Sequence, residues 1–151
     1  MTLTMQILWG SLFLALCAVI HVVAIAVLTG IAGRMAGRMS LHGPLKRLIV
    51  IVGAAFLWIT LSHTIQVWIW SNAFLLMGVI DDLNSALYFA LVTYSTVGYG
   101  DYVLGPGTRI FGTMAGVSGV LTLGVSTAFL VALLGRLLPQ TDPGGLPPSK
   151  S

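Results

Sequence analysis

The stretch Thr96-Val97-Gly98-Tyr99-Gly100-Asp101 combines residue types and a spacing that suit one kind of chemistry. A cation that has shed its water needs replacement oxygens, and a run of adjacent backbone units aimed at one axis can supply them. Glycines at alternate positions serve that geometry, because Gly98 and Gly100 adopt backbone angles that other residues resist. Thr96 adds a hydroxyl oxygen at the inner end. Val97 and Tyr99 turn their side chains away from the axis, and Asp101 leaves a negative charge at the outer mouth. Asp101 could equally be a plain turn residue, but its place after the second glycine favours the mouth.

Such a backbone column must be held at membrane depth, and the composition agrees. Charged residues make up 7% of the chain and hydrophobic residues 57%, against about a quarter charged in a soluble domain. Most of the surface should therefore face lipid. There is no glutamate, and the one cysteine, Cys17, lies in an apolar run. An intrachain disulfide and a cysteine-rich metal site are both excluded. No nucleotide loop or catalytic triad is visible, so an enzyme is not expected, nor an organic cofactor or a nucleic-acid partner.

Three segments are apolar enough to span a bilayer, which takes roughly 20 residues: Met5 to Ile31, Leu48 to Met77 and Ile110 to Leu138. A signal peptide would place bases before its apolar core, whereas here residues 1–33 are uncharged and Arg34, Arg38, Lys46 and Arg47 follow. The acid-free loop 34–47 is read as a cytoplasmic topology signal, with contact to anionic lipid as a second role. The N-terminus is then outside and the C-terminus cytoplasmic. Arg136 and Lys150 also fall inside, whereas Asp81, Asp82, Asp101 and Arg109 fall outside. Trp9, Trp68 and Trp70 are expected at the outer interface, which indoles favour. The Pro- and Gly-rich tail, 139–151, is expected to be disordered.

Between the second and third spans, Asp81-Asp82-Leu83-Asn84 offers N-cap side chains for a short helix over Ser85–Ser95. Eleven residues reach about 16 Å, half of a bilayer. The helix C-terminus, with roughly half a negative charge, points at the membrane centre, and the glycine-rich stretch returns outward. One chain supplies one such loop, so a ring of oxygens implies a homo-oligomer, most simply a tetramer.

With these residues in view, Asp82 to Leu138 resembles the pore module of small bacterial potassium channels. Leu87-Tyr88-Phe89-Ala90-Leu91-Val92-Thr93-Tyr94-Ser95 followed by Thr96-Val97-Gly98-Tyr99-Gly100-Asp101 carries the resemblance. With an outer helix matched by pattern only, it begins near Lys46. It implies potassium ions held by the backbone oxygens of Thr96, Val97, Gly98, Tyr99 and Gly100, with the Thr96 hydroxyl in the innermost site. Gly119 to Ala128 is similar to the glycine-hinged inner helix of that family. By that match Gly119 is a candidate gating hinge, and Thr127 and Val131 are candidates for the inner constriction. The chain departs from the family where some members carry a glutamate behind the filter, here Val92. It departs again where two tryptophans are common, here Tyr88 and Phe89. Phe89 has no hydrogen-bond donor, which implies a weaker clamp on the filter. The span over residues 1–33 is an addition to the minimal module.

Several residues carry two readings. Gly112 and Gly116 suit close helix packing; Gly119 suits packing and hinge equally. His21 and His63 are ionisable groups within spans, hence suspected pH sensors, or hydrogen-bonded packing residues. Each lies about 24 Å from the start of its own segment, and the segments run in opposite directions. They are therefore expected near opposite faces and unpaired, with His63 closer to the outer mouth. Arg109 either pairs with Asp101 or a neighbouring subunit's acid, or is solvated. Regularly spaced arginines within a span, as a voltage sensor needs, are absent from the first two spans.

The expected protein is all-α: three transmembrane helices plus a re-entrant pore helix and filter loop per chain. The units are 1–33, an extra helix; 34–47, a basic loop; 48–138, the pore domain; and 139–151, a tail. The expected function is passive potassium conduction through a homotetramer in the cell membrane. Two rivals are a subunit of a potassium uptake transporter, which usually carries several degenerate loops, and a non-conducting membrane protein whose first span docks a partner. The opening stimulus stays open between pH, lipid or tension, and an unidentified regulatory partner.

Overall fold

The computed structural model describes residues 1–38 and 43–138, so the tail expected over 139–151 and positions 39–42 of the basic loop lie outside the described residues. Four helices follow in order: α1 (Leu3–Arg38), α2 (Pro44–Leu76), α3 (Leu83–Tyr94) and α4 (Arg109–Leu137). α1, α2 and α4 are each long and apolar enough to cross a membrane, and α3 is a short apolar helix between them. α1 runs on through Arg38 and α2 begins at Pro44, so both helices reach into the 34–47 stretch. α1 is therefore about 54 Å long, well beyond the roughly 30 Å of bilayer hydrocarbon.

Local chemistry sets the ends. Pro44 occupies the first turn of α2, where a missing N–H costs nothing. Asp82 caps α3, its carboxylate accepting from the Ser85 N–H at 2.9 Å. That bond holds the Asp82 carboxyl below its ordinary range. The helix begins at Leu83, two residues before the expected Ser85. The cap of α4 comes from elsewhere in the chain. Thr108 makes no side-chain cap bond, and buried Gln6 of α1 accepts from the N–H groups of Ile110 and Phe111 at 3.1 and 3.4 Å.

The helices pack in one bundle, with α1 against both α2 and α4, and α3 wedged between α2 and α4. An aromatic cluster joins all four: Phe13 from α1, Trp70 and Phe74 from α2, Phe89 from α3 and Phe111 from α4. Trp70, expected near the outer interface, is fully buried in the bundle there. Its indole fills the space that Phe13, Phe74 and Phe111 leave, whereas Trp9 and Trp68 stay exposed. A second apolar cluster, Leu28, Ala55 and Ile59, closes the other end of the bundle.

The small residues of α4 form the seat of α3 and its following loop. A Cβ at Gly112 would meet the Leu104 side chain, one at Gly116 the Thr93 carbonyl oxygen at 3.3 Å, and one at Gly119 would land on the Tyr94 carbonyl oxygen. The packing role is thus visible at all three positions. Gly119→Ala should lower the thermal stability of the detergent-solubilised protein by about 1–3 kcal/mol. Gly53→Ala, where an added methyl meets nothing within 4 Å, should leave it unchanged or raise it by up to about 1 kcal/mol. Equal melting behaviour of the two variants would contradict the seat.

Candidate functional site

The chain turns at the end of α3. Ser95 caps it, with its N–H on the Leu91 carbonyl and its hydroxyl donating to the same oxygen at 2.6 Å. Two further bonds fold the next residues back on the last helical turn: Thr96 N–H to Thr93 O at 3.1 Å and Gly98 N–H to Val92 O at 3.2 Å. Thr96, Gly98 and Gly100 then take positive φ of 63°, 56° and 77°, and Val97 and Tyr99 between them do not. A β-branched residue at positive φ is a genuine outlier. Such strain, of order 1–3 kcal/mol, persists only where the surroundings hold it and clusters at functional sites. The sign of φ thus alternates residue by residue from Thr96 to Gly100. Among the described residues no intrachain hydrogen bond ends on the carbonyl oxygens of 96–100. Val97 and Tyr99 are 53% and 73% exposed, so neither face of the segment is packed by its own chain.

The outer end is fastened. Tyr88 donates its phenolic proton to Asp101 Oδ2 at 2.6 Å, and Phe89 lies against Tyr102 with ring centroids 5.8 Å apart. The clamp expected to be weak at Phe89 is thus supplied by Tyr88. The Asp101 carboxylate holds the Tyr88 phenol above its ordinary range. Asp101 does not pair with Arg109, whose guanidinium Nε–H donates to the Leu104 carbonyl at 2.9 Å. Arg109 thereby fixes the return of the loop into α4.

At the inner end, α4 shows Thr127 and Val131 on its exposed side. The Thr127 hydroxyl bonds only the Leu123 carbonyl of its own helix, and Val131 is 64% exposed. Gly119 instead faces into the bundle, onto Tyr94. No group of three or more His, Cys, Asp or Glu side chains that could hold a metal occurs among the described residues.

The two histidines overturn the expectation that they lie apart. Their rings are 5.1 Å apart, and both bond Ser126 of α4, His21 Nε2 at 3.1 Å and His63 Nε2 at 3.0 Å. The expected depths placed the segment starts, Met5 and Leu48, at the membrane surface. α1 and α2 are both longer than the bilayer is thick and begin before those points, so His21 and His63 each sit near the midpoint of a long helix and meet at one level. The sequence carried no signal for this meeting, nor for the Gln6 cap.

The sequence family described as ion channel matches residues 45–136, more than half of the chain. The match takes in nearly all of α2, all of α3 and the loop, and α4 to its penultimate residue. This chain belongs to the ion channel family. With three helices of spanning length, it is a membrane protein. α1 lies outside the matched region, and no curated protein and no solved structure matches the chain.

One prediction concerns the outer fastening of this ion channel chain. Asp101→Asn should bring the Tyr88 phenol back toward the ordinary tyrosine value, visible by ultraviolet titration against a Tyr88→Phe control. In the wild type the Tyr88–Asp101 bond is present below the ordinary tyrosine pKa of about 10. It is lost only as pH rises through the raised value. An unshifted titration in Asp101→Asn would remove the bond from the account.

Proposed function

We propose that the chain is the subunit of a homotetrameric channel that passes potassium passively across the cell membrane. The observation that carries this reading is the alternation of backbone handedness at Thr96, Gly98 and Gly100, on a segment whose carbonyls and side chains find no partner in their own chain. Four copies around one axis would turn the oxygens of Thr96, Val97, Gly98, Tyr99 and Gly100 into stacked rings, with the Thr96 hydroxyls as the innermost. Carbonyl rings replace the hydration shell of the ion. Val97 and Tyr99, on the other face, would pack against the neighbouring copies. This is also the arrangement in which non-helical backbone is tolerated at membrane depth, buried in protein or lining a wet path.

The rest follows from charge and packing. α3 re-enters only partway, and its C-terminal partial charge favours a cation in a central cavity. Asp101 sets a negative rim outside. The inside position of the bases places the N-terminus outside and the C-terminus in the cytoplasm. On α4, Thr127 and Val131 would line the inner constriction. Gly119 is where that helix would bend, and its seat on Tyr94 would carry such a bend to the inner end of the filter.

Purified protein in liposomes should carry potassium down its gradient with no added energy source, exclude sodium, and be blocked by barium. Gly100→Ala, at a φ of 77° that a side chain resists, should lose the preference for potassium. Equal rates for the two cations in the wild type would remove the selectivity claim. An unchanged preference in Gly100→Ala would misplace the filter.

A further inference from the structure

Between the two apolar clusters of the bundle lies a closed ring of five polar side chains drawn from all four helices. His21 Nε2–H donates to Ser126 Oγ at 3.1 Å, and Ser126 donates to His63 Nε2 at 3.0 Å. His63 Nδ1–H donates to the Tyr94 hydroxyl at 2.8 Å, and Tyr94 donates to Gln66 Oε1 at 3.1 Å. Gln66 Nε2–H donates to His21 Nδ1 at 3.2 Å and closes the ring. The Gln66 amide, with one donor end and one acceptor end, sets the sense of circulation. Turning it over reverses every bond of the ring but sets the amide oxygen against the Ser62 carbonyl, to which Nε2–H otherwise donates at 3.3 Å. In either sense five links hold five protons, and both histidines are neutral. His21, Gln66 and Ser126 are buried, and a buried polar network that is fully satisfied rigidifies what it joins.

The ring is joined to the inner end of the loop. Tyr94 is the last residue of α3, two before Thr96. Its hydroxyl lies in the ring and also meets Thr122 Oγ1 of α4 at 2.7 Å, and its carbonyl rests on Gly119. Tyr94 is therefore gripped at both ends, and α1 enters the hydrogen-bonded ring through His21. We infer that this ring is the positioning element for the inner end of the filter, and that it makes the first helix part of the conduction machinery. The inference rests on the channel reading above.

The proton count gives the ring a property that apolar packing would lack. A sixth proton, on either histidine, leaves some link with two donors facing each other. For a proton on His21 two outlets are at hand. Ser62 Oγ stands 3.3 Å from His21 Nδ1. Alternatively, Gln66 turns over and Tyr94 swings its proton to Thr122, which itself donates to the Ser118 carbonyl at 2.9 Å. Either outlet rearranges the hold on α3. The titratable groups that face one another here are Cys17 and His21 from α1, His63 from α2 and Tyr94 from α3. α4 contributes only Ser118, Thr122 and Ser126, and no charged side chain enters.

The test is the potassium-to-sodium permeability ratio of the full-length protein in planar bilayers, with assembly size checked by light scattering. Tyr94→Phe, which removes one hydroxyl, and His21→Leu, which keeps bulk without a donor, should each lower the ratio about tenfold. The pair together should do little more than either alone, as members of one network do. His21→Gln spans the same donor and acceptor and should keep the wild-type ratio. The wild-type ratio should also fall reversibly on acidification, and the His21→Gln/His63→Gln double variant should show a flat profile. A wild-type ratio in Tyr94→Phe would overturn the inference. So would equal losses in His21→Leu and His21→Gln, or a flat wild-type profile down to the pH of unfolding. A wild type that passes both cations alike would remove the potassium selectivity on which the inference rests, and one that passes neither would overturn the channel reading itself.

Discussion

A backbone carbonyl withdrawn from water must find another partner, and among the described residues no intrachain donor reaches the carbonyls of 96–100. That single constraint organises the molecule. The segment takes positive φ at alternate residues, including the strained Thr96. Strain of this kind survives only if both ends are held. At the outer end Tyr88 and Asp101 hold it, and Arg109 ties the return. At the inner end the last turn of α3 holds it, and α3 is held in turn by the glycines of α4. The three long helices form the frame for that short unpaired stretch.

The frame also explains the low demand for charge. The bundle is stitched by an aromatic cluster, an apolar cluster and a polar band between them, and none of the three uses an ion pair. Neutral hydrogen bonds cross the bundle at the level where α3 ends, which is where a membrane interior would make an uncompensated charge costly. The Gln6 side chain, which reaches from α1 to the start of α4, likewise satisfies backbone donors without charge. α1 lies beyond the part matched by the ion channel family. It nevertheless packs on α2 and α4 and caps one of them, so it is built into the frame.

Much of this was legible in the residues, and the limit is physical. Hydropathy and length are local properties, so three spans and one short helix could be read directly. Asp82 as a cap could be read too, because an N-cap acts within one turn. The glycine-rich stretch could be read because alternate glycines state their own backbone requirement. What could not be read depends on how the helices dock. Trp70 is buried because Phe13 and Phe111 arrive from distant parts of the chain. His21 meets His63 because both long helices overrun the bilayer, which hydropathy alone does not measure. Gly119 looked equally like a hinge and a packing residue until the Tyr94 carbonyl was found against it. Arg109 could be read as a partner of Asp101 or as a solvated side chain, and the loop gives Arg109 a carbonyl and Asp101 a phenol.

The central claim is that oxygens of residues 96–100 from several copies of this chain surround a shared axis and replace water around a cation. Thallium, a heavy stand-in for potassium, makes the most direct measurement possible: its anomalous scattering in crystals of the assembled protein. The account predicts fourfold assemblies with thallium peaks in a row on the axis, each ringed by carbonyl oxygens of this segment. Assemblies with the segment away from any axis, or an axis that holds no thallium between ordered carbonyls, would contradict it.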